Sequence, residues 1–432
     1  MIKACRQHQI IWAIFDWART VWPVMIITFV FPNYFTTQVA ATAVEGKALW
    51  ADTVVISSIF IAIMAPVLGL LSDTMKNSTP WFRVFTIINI ACAYLLWFVY
   101  PSPDSIVLAM TLTIIGTIGF ELSGTFYNGY LSLVTKPSEL SRISGIAWAM
   151  GYFAGIGCLI LCLVLLVIPE EPLFGYISTD NLAHIRLIGP IVGTWYLVFG
   201  LPMLTLSETK GSSAKVHLPT LAKQAYQQMI DSIKKSQKTF YIFHFLITRM
   251  LYTDGINTLF LFAGIYAATE FNMGFDEIMY FGIACNLSAG IGCFLASITD
   301  SYFGEKSTIN ASLVLLSIFL IILLNVTSKF YFWVFAVIAT VFIGPLQTSS
   351  RSLMAKICPE ESKGEFFGLY ALSGRVTSFL GPALLSFVSQ QTGSEAYGMA
   401  TILIFLALGL VGMLYLKIPE AILLPKAPDQ SE

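Results

Sequence analysis

The stretch IIWAIFDWARTVWPVMIITFVFPNY, Ile10 to Tyr34, decides how the rest of the chain is read. It is a run of roughly 25 apolar and aromatic residues, long enough to cross a hydrocarbon core of about 30 Å. Inside it stand Asp16 and Arg19. A charge at membrane depth is expensive and marks a bundle interior or a watery cavity. The two are spaced i, i+3 on one helical face, so they either pair with each other or line a solute pathway. The run follows Met1-Ile-Lys-Ala-Cys-Arg and is too long and too charged for a cleaved leader, so it is read as a retained span.

The same character recurs to the end of the chain. Hydrophobic residues make up 56% of 432 and charged residues 11%, against about 25% charge in soluble domains. Mean hydropathy is +0.76. These values identify a polytopic membrane protein. A net charge of −1 gives nucleic acid nothing to bind. None of the seven cysteines has zinc spacing, and Cys158 and Cys162 read as small packing residues one helical turn apart. No phosphate-binding Gly-Lys-Ser/Thr loop is present, which disfavours ATP-driven transport. No catalytic triad stands out, and no cofactor or metal is expected.

Apolar segments fall near 10–35, 51–72, 84–100, 105–129, 143–168, 185–206, 239–267, 277–298, 308–325, 331–351, 365–389 and 396–416. They have helical length and no strand alternation, so the fold class is an all-α membrane protein of twelve transmembrane helices. Of the 24 Lys and Arg residues, eighteen fall on the side that carries the N-terminus, Arg351 among them. Only Lys47, Arg186 and Lys329 fall on the other side, and Arg19, Arg249 and Arg375 lie inside. This asymmetry places both termini in the cytoplasm.

The longest polar stretch, 207–238, is basic and divides a six-helix half at 1–206 from another at 239–432. It is read as a connector lying near anionic lipid headgroups. The halves echo each other. Gly69-Leu-Leu-Ser-Asp73 with Arg83 follows the second helix, and Asp300 to Lys306 follows the eighth. A six-plus-six repeat is the mark of the major facilitator fold, whose site lies between the halves at the midplane.

Several segments resemble one branch of that superfamily, the autophagy-related vacuolar amino-acid effluxer family and its bacterial relatives. They are Trp12 to Ala18 with Thr28 to Pro32, Phe126-Tyr127-Asn128, Ser144-Gly145 through Trp148 to Tyr152, and Tyr252-Thr-Asp254-Gly255. The longest runs from Ser350-Arg351-Ser352 through Gly364 to Gly374 and on to Pro382. The resemblance implies an amino-acid transporter or effluxer with a cavity lined by the first, fourth, seventh and tenth helices and flanked by the eleventh. Arg19 departs from it, standing where the family has a small polar residue, and points to a solute other than the family's default.

Arg19, Arg249, Arg375 and Glu121 each lie about ten residues into their helices, about 15 Å deep. Arginine keeps its charge when buried and presents a planar fork to a carboxylate or phosphate. Three midplane arginines from both halves are therefore a candidate anion clamp. The competing reading is internal pairing: Arg19 with Asp16, Arg249 with Asp254 or Glu121, Arg375 with a backbone carbonyl. Glu121, Thr125 and Asn128 form one stripe on the fourth helix. Glu121, then Asp254 and Asp16, are the proton-coupling candidates.

Tyr252 and Asn257 are candidate ligand hydrogen-bonders. Tyr127, Asn128, Trp148 and Gln347 complete the substrate-binding set. Asp73, Arg83 and Asp300 are assigned to the cytoplasmic gate. The expectation is a monomeric, proton-coupled secondary transporter of the bacterial inner membrane for a small carboxylate-bearing solute: an organic anion, a polycarboxylate or a carboxylate siderophore. The alternatives are an amino-acid transporter and, remotely, a non-transporting receptor.

Overall fold

The computed structural model describes residues 5–75, 77–169, 172–206, 240–273, 275–359 and 362–419. The expected connector at 207–238 lies outside the described residues. All regular structure among the described residues is helical, as a backbone in lipid requires. The twelve long stretches are α1 (Arg6–Val39), α2 (Ala43–Met75), α3 (Thr79–Phe98), α4 (Ile106–Val134), α5 (Leu140–Cys162) and α6 (Ile188–Thr205). They continue as α7 (Phe240–Phe271), α8 (Phe275–Phe303), α9 (Glu305–Asn325), α10 (Lys329–Ile357), α11 (Lys363–Ser373 with Leu380–Thr392) and α12 (Glu395–Tyr415). Among the described residues, ten helices are long and apolar enough to cross a membrane. The other two stretches are α7, which carries Arg249 and Asp254, and α11, which is interrupted at Arg375.

Prolines shape α1. Pro23 and Pro32 each remove an amide donor, and the turns beside them widen: Val30 N donates to Met25 O at 3.2 Å and Ala40 N to Phe35 O at 2.9 Å. The continuous helix expected at 365–389 is corrected to two parts. Gly374 N turns back three residues to Ala371 O, and Arg375 N to Leu372 O, so the regular ladder stops between Gly374 and Phe379.

We call the face on which α1 begins the basal face. There the two sets of six helices repeat one device. Arg83 at the start of α3 donates to the carbonyls of Leu204 and Leu206, at 2.8 and 3.1 Å, where α6 ends. Lys306 at the start of α9 donates to the Leu416 carbonyl at 2.7 Å, where α12 ends. Each cation meets the negative end of a helix dipole. Arg83, which the sequence assigns to the gate, here ties α3 to α6 within the first six helices. Replacing either cation by alanine should lower stability by about 1 kcal/mol, read as a lower melting temperature in detergent. An unchanged melting temperature would contradict the capping role.

Between the two sets, α2 packs on the first part of α11, and α5 on α8. Without a hydrophobic drive between helices in lipid, small residues set how close backbones come. A Cβ on Gly69 would stand 2.0 Å from Gly364 O, and one on Gly368 would stand 2.5 Å from Ala65 O. Across the other seam a Cβ on Gly145 would stand 2.7 Å from Cys293 O. Arg186, expected in an outer loop, is buried; its guanidinium lies 3.7 Å from the Tyr100 ring centroid and donates to Trp97 O.

Candidate functional site

At the centre of the bundle Asp16 of α1 meets Arg351 of α10. The Nη1 to Oδ2 distance is 2.8 Å, and Arg351 is 2% exposed. The guanidinium also donates to Ser144 of α5, through Nε to Oγ at 2.9 Å and Nη2 to the carbonyl at 2.7 Å. Trp12 and Trp148 face it, with ring centroids 4.8 and 5.3 Å away. Tyr127 fixes this wall: its ring stacks on Trp12 at 4.5 Å, and the two residues exchange side-chain to carbonyl hydrogen bonds. Two corrections follow. Arg351 lies inside the bundle, because α10 runs on to Ile357 beyond the apolar segment that ended the sequence reading. Asp16 pairs with Arg351 across the two sets of helices and not with Arg19.

The three arginines of the expected clamp lie along one chain of contacts. Arg19 is buried, donates from Nη2 to Phe120 O at 2.9 Å and lies over the Phe120 ring at 4.1 Å. The next residue, Glu121, forms an ion pair with Arg375 of α11. Both members are partly exposed, at 23% and 31% of their side chains. Beside Arg375, Ser373 accepts from Arg249 Nη1 at 2.7 Å; the same nitrogen donates to Tyr370 O at 2.8 Å, and the guanidinium stacks on the Tyr370 ring. Arg249 therefore meets α11, not Asp254 or Glu121, and Arg375 meets a carboxylate, not a carbonyl.

Other candidates are more dispersed. Tyr252 is buried and shares a 2.6 Å hydrogen bond with Ser350. Asn257 is exposed on α7, and Asn128 is partly exposed on α4. Gln347 accepts from Tyr152 at 3.1 Å across the α5–α10 seam. Asp254 is 2% exposed, and among the described residues neither carboxylate oxygen has a hydrogen-bond partner.

At the basal face Asp73 crosses between the two sets. Its oxygens accept from the Gly364 and Glu365 amides at 2.8 and 2.7 Å, where the first part of α11 begins. A carboxylate on a helix N-terminus is favoured by the dipole and by the amides it satisfies. Asp300 does not cross. It accepts from Ser349 on the adjacent α10 at 2.8 Å. The crossing residue at the second seam is Glu305, which accepts from Ser141 of α5 at 2.6 Å and pairs with Lys356 at 2.7 Å. Sequence reasoning missed Arg351, Ser144 and Glu305. The run Ser349-Ser350-Arg351-Ser352, polar residues on an apolar helix, was the available signal for the first.

Residues 39–422 match the family model "Vacuole effluxer Atg22 like". An uncharacterized MFS-type transporter of Bacillus subtilis, YxiO, is 24% identical over 97% of this chain and 96% of its own. Autophagy-related protein 22 of Cryptococcus neoformans is 26% identical over 65% of this chain, which spans 52% of that longer protein. In fold the chain is similar to the major facilitator superfamily transporter FucP in its outward conformation, at a TM-score of 0.73 and 12% identity over 95% of this chain and 98% of FucP. It is also similar to the human organic anion transporter MFSD10, at a TM-score of 0.71 and 12% identity over 95% and 99%.

Proposed function

This chain belongs to the Atg22-like vacuole effluxer family, and we propose on that footing that it moves an amino acid across its membrane with proton coupling. It is a multi-pass transporter of the major facilitator fold, not an enzyme. The observation that carries the choice of solute is the Glu121–Arg375 pair. It joins α4 to α11, it is partly exposed, and it offers both signs of charge at one place. A zwitterion exchanges with such a pair directly, its carboxylate on Arg375 and its ammonium on Glu121. Because the pair spans the two sets of helices, a solute that replaces it bridges them. Alternating access then follows from the two sets rocking about the solute.

A second reading, a polycarboxylate or carboxylate siderophore, is favoured by Arg19 and Arg249. Their contacts among the described residues are with carbonyls, a hydroxyl and rings, so their charge is not answered by a carboxylate. Asp73 and Glu305 belong, in this proposal, to the cytoplasmic gate. Both termini lie in the cytoplasm, on the Lys and Arg asymmetry, and the membrane is a bacterial inner membrane.

The test is a thermal-shift screen of the purified protein against amino acids, di- and tricarboxylates and carboxylate siderophores. Stabilisation by an amino acid is expected, lost in both Glu121→Gln and Arg375→Gln and kept in Arg19→Ala. Stabilisation confined to polyanions and lost in Arg19→Ala would overturn the amino-acid reading in favour of the second. Proton coupling predicts that a pH gradient across proteoliposomes drives accumulation of the stabilising solute; indifference to the gradient would sink it.

A further inference from the structure

The break in α11 leaves two helix ends inside the bundle, and α7 sets a charge against each. Arg249 answers the carboxyl end of the first part. Tyr370 O loses its helical amide when Gly374 N turns back to Ala371 O, and it accepts from Arg249 Nη1 and from Ser373 Oγ. Asp254 answers the amino end of the second part. A Cβ on Gly381 would stand 3.2 Å from the Asp254 backbone oxygen and 2.0 Å from Thr258 Oγ1. Gly381, in the first turn of that part, therefore packs on the Asp254 turn of α7.

Five other inward carboxylates have partners: Asp16 has Arg351, Glu121 has Arg375, Asp73 has two amides, Glu305 has Ser141 and Lys356, and Asp300 has Ser349 through one oxygen. Asp254 differs in having both oxygens open at 2% exposure. A buried carboxylate in that condition does not stay ionised alone; it takes a proton or a cation. Space decides between the two. Thr258 and Gly381 close one side, and Gly255 lies on Phe405 and Ile402 of α12. A hard cation needs about six oxygen ligands, and these neighbours are mostly hydrocarbon and backbone. Arg249, on the same helix, points into the first part of α11. Of the charged groups on helices that pack on α7, Arg375 beside α11 is held by Glu121, Arg351 of α10 by Asp16, and Asp300 of α8 by Ser349.

We propose that Asp254 is a proton-binding site built into the α11 break, and that loss of the proton draws the second part of α11 onto the carboxylate. The first part carries the Asp73 contact at its start, and Arg375 follows its end, so a change of angle at the break acts on both crossings. The use of this proton in transport rests on the function proposed above; the site itself does not.

Full-length protein in lipid nanodiscs, without solute, tests it by infrared difference spectroscopy between acid and alkaline pH. A carbonyl-stretch band of a dry protonated carboxyl is expected in the wild type and in Glu121→Gln, and not in Asp254→Asn. Should Asp254→Asn fail to fold, isotopically labelled aspartate in the wild-type chain must shift the band. Amides from Val376 to Ala383 should exchange roughly threefold or more faster at alkaline pH in Asp254→Asn than in the wild type. A band that survives Asp254→Asn, ignores labelled aspartate or answers to sodium at constant pH overturns the proton site. Equal amide exchange overturns the coupling to the break. A protein that shows the band but moves no solute would refute the proposed function and leave the proton site standing.

Discussion

Arg351→Ala is expected to cost about 3–5 kcal/mol of stability and to abolish transport, because it leaves the Asp16 carboxylate buried without its partner. The double variant Asp16→Ala/Arg351→Ala should recover much of the stability, since no lone charge then remains. Recovery of stability without recovery of transport is the expected pattern. The pair does more than hold α1 to α10: Arg351 also bonds Ser144 of α5, so one guanidinium ties α1, α5 and α10 together at the centre of the bundle. A fluorescence-detected melting curve of the three proteins decides the matter. If the double variant is as unstable as the sum of the singles, the two charges are not coupled and the central ion pair is not what holds these helices.

Gly69→Ala should have the second large effect, and of a different kind. The added Cβ would fall 2.0 Å from Gly364 O, and backbone cannot yield as a side-chain tip can. Overpacking of this sort costs about 1–3 kcal/mol. The cost falls only on the arrangement in which α2 lies against α11. Since about 1.4 kcal/mol is tenfold in an equilibrium, the ratio of closed to open basal face should drop about fivefold or more. Spin labels on the basal ends of α2 and α11 would report a second, longer distance. Asp73→Asn should act in the same direction and more weakly, because an amide oxygen still accepts from Gly364 or Glu365 but lacks the charge that favours a helix N-terminus. A distance distribution identical to the wild type in Gly69→Ala would show that this seam does not govern closure.

These two expectations rest on features of unequal legibility. Asp16 was visible as a charge in an apolar run, and Gly69 and Asp73 as a short motif at a helix end. Their partners were not. Arg351 was read as lying outside the membrane, because hydropathy marks where an apolar run stops and not where a helix stops. Arg19 and Asp16 share a helical face and invite pairing, yet Arg19 reaches the Phe120 carbonyl and ring of α4. The interruption of α11 had Gly374 as its signal, but a glycine in an apolar helix marks close packing as often as a break.

The sequence by itself determined the class of fold, an all-helical membrane protein, and the order of its long apolar stretches. Length, hydropathy and 1.5 Å of rise per residue are local properties and can be read along one chain. The likeness of Arg83 and Lys306 was also legible, since each is a cation that follows an aspartate at a helix end. Only the tertiary structure decided the pairing. Asp16 lies 335 residues from Arg351, and Glu121 lies 254 from Arg375. Which charge meets which depends on how helices from the two sets rotate and cross, and that is set by backbone approaches such as Gly69 on Gly364. Side-chain identity leaves several neutralising pairings open to the same set of charges, and close packing selects one of them.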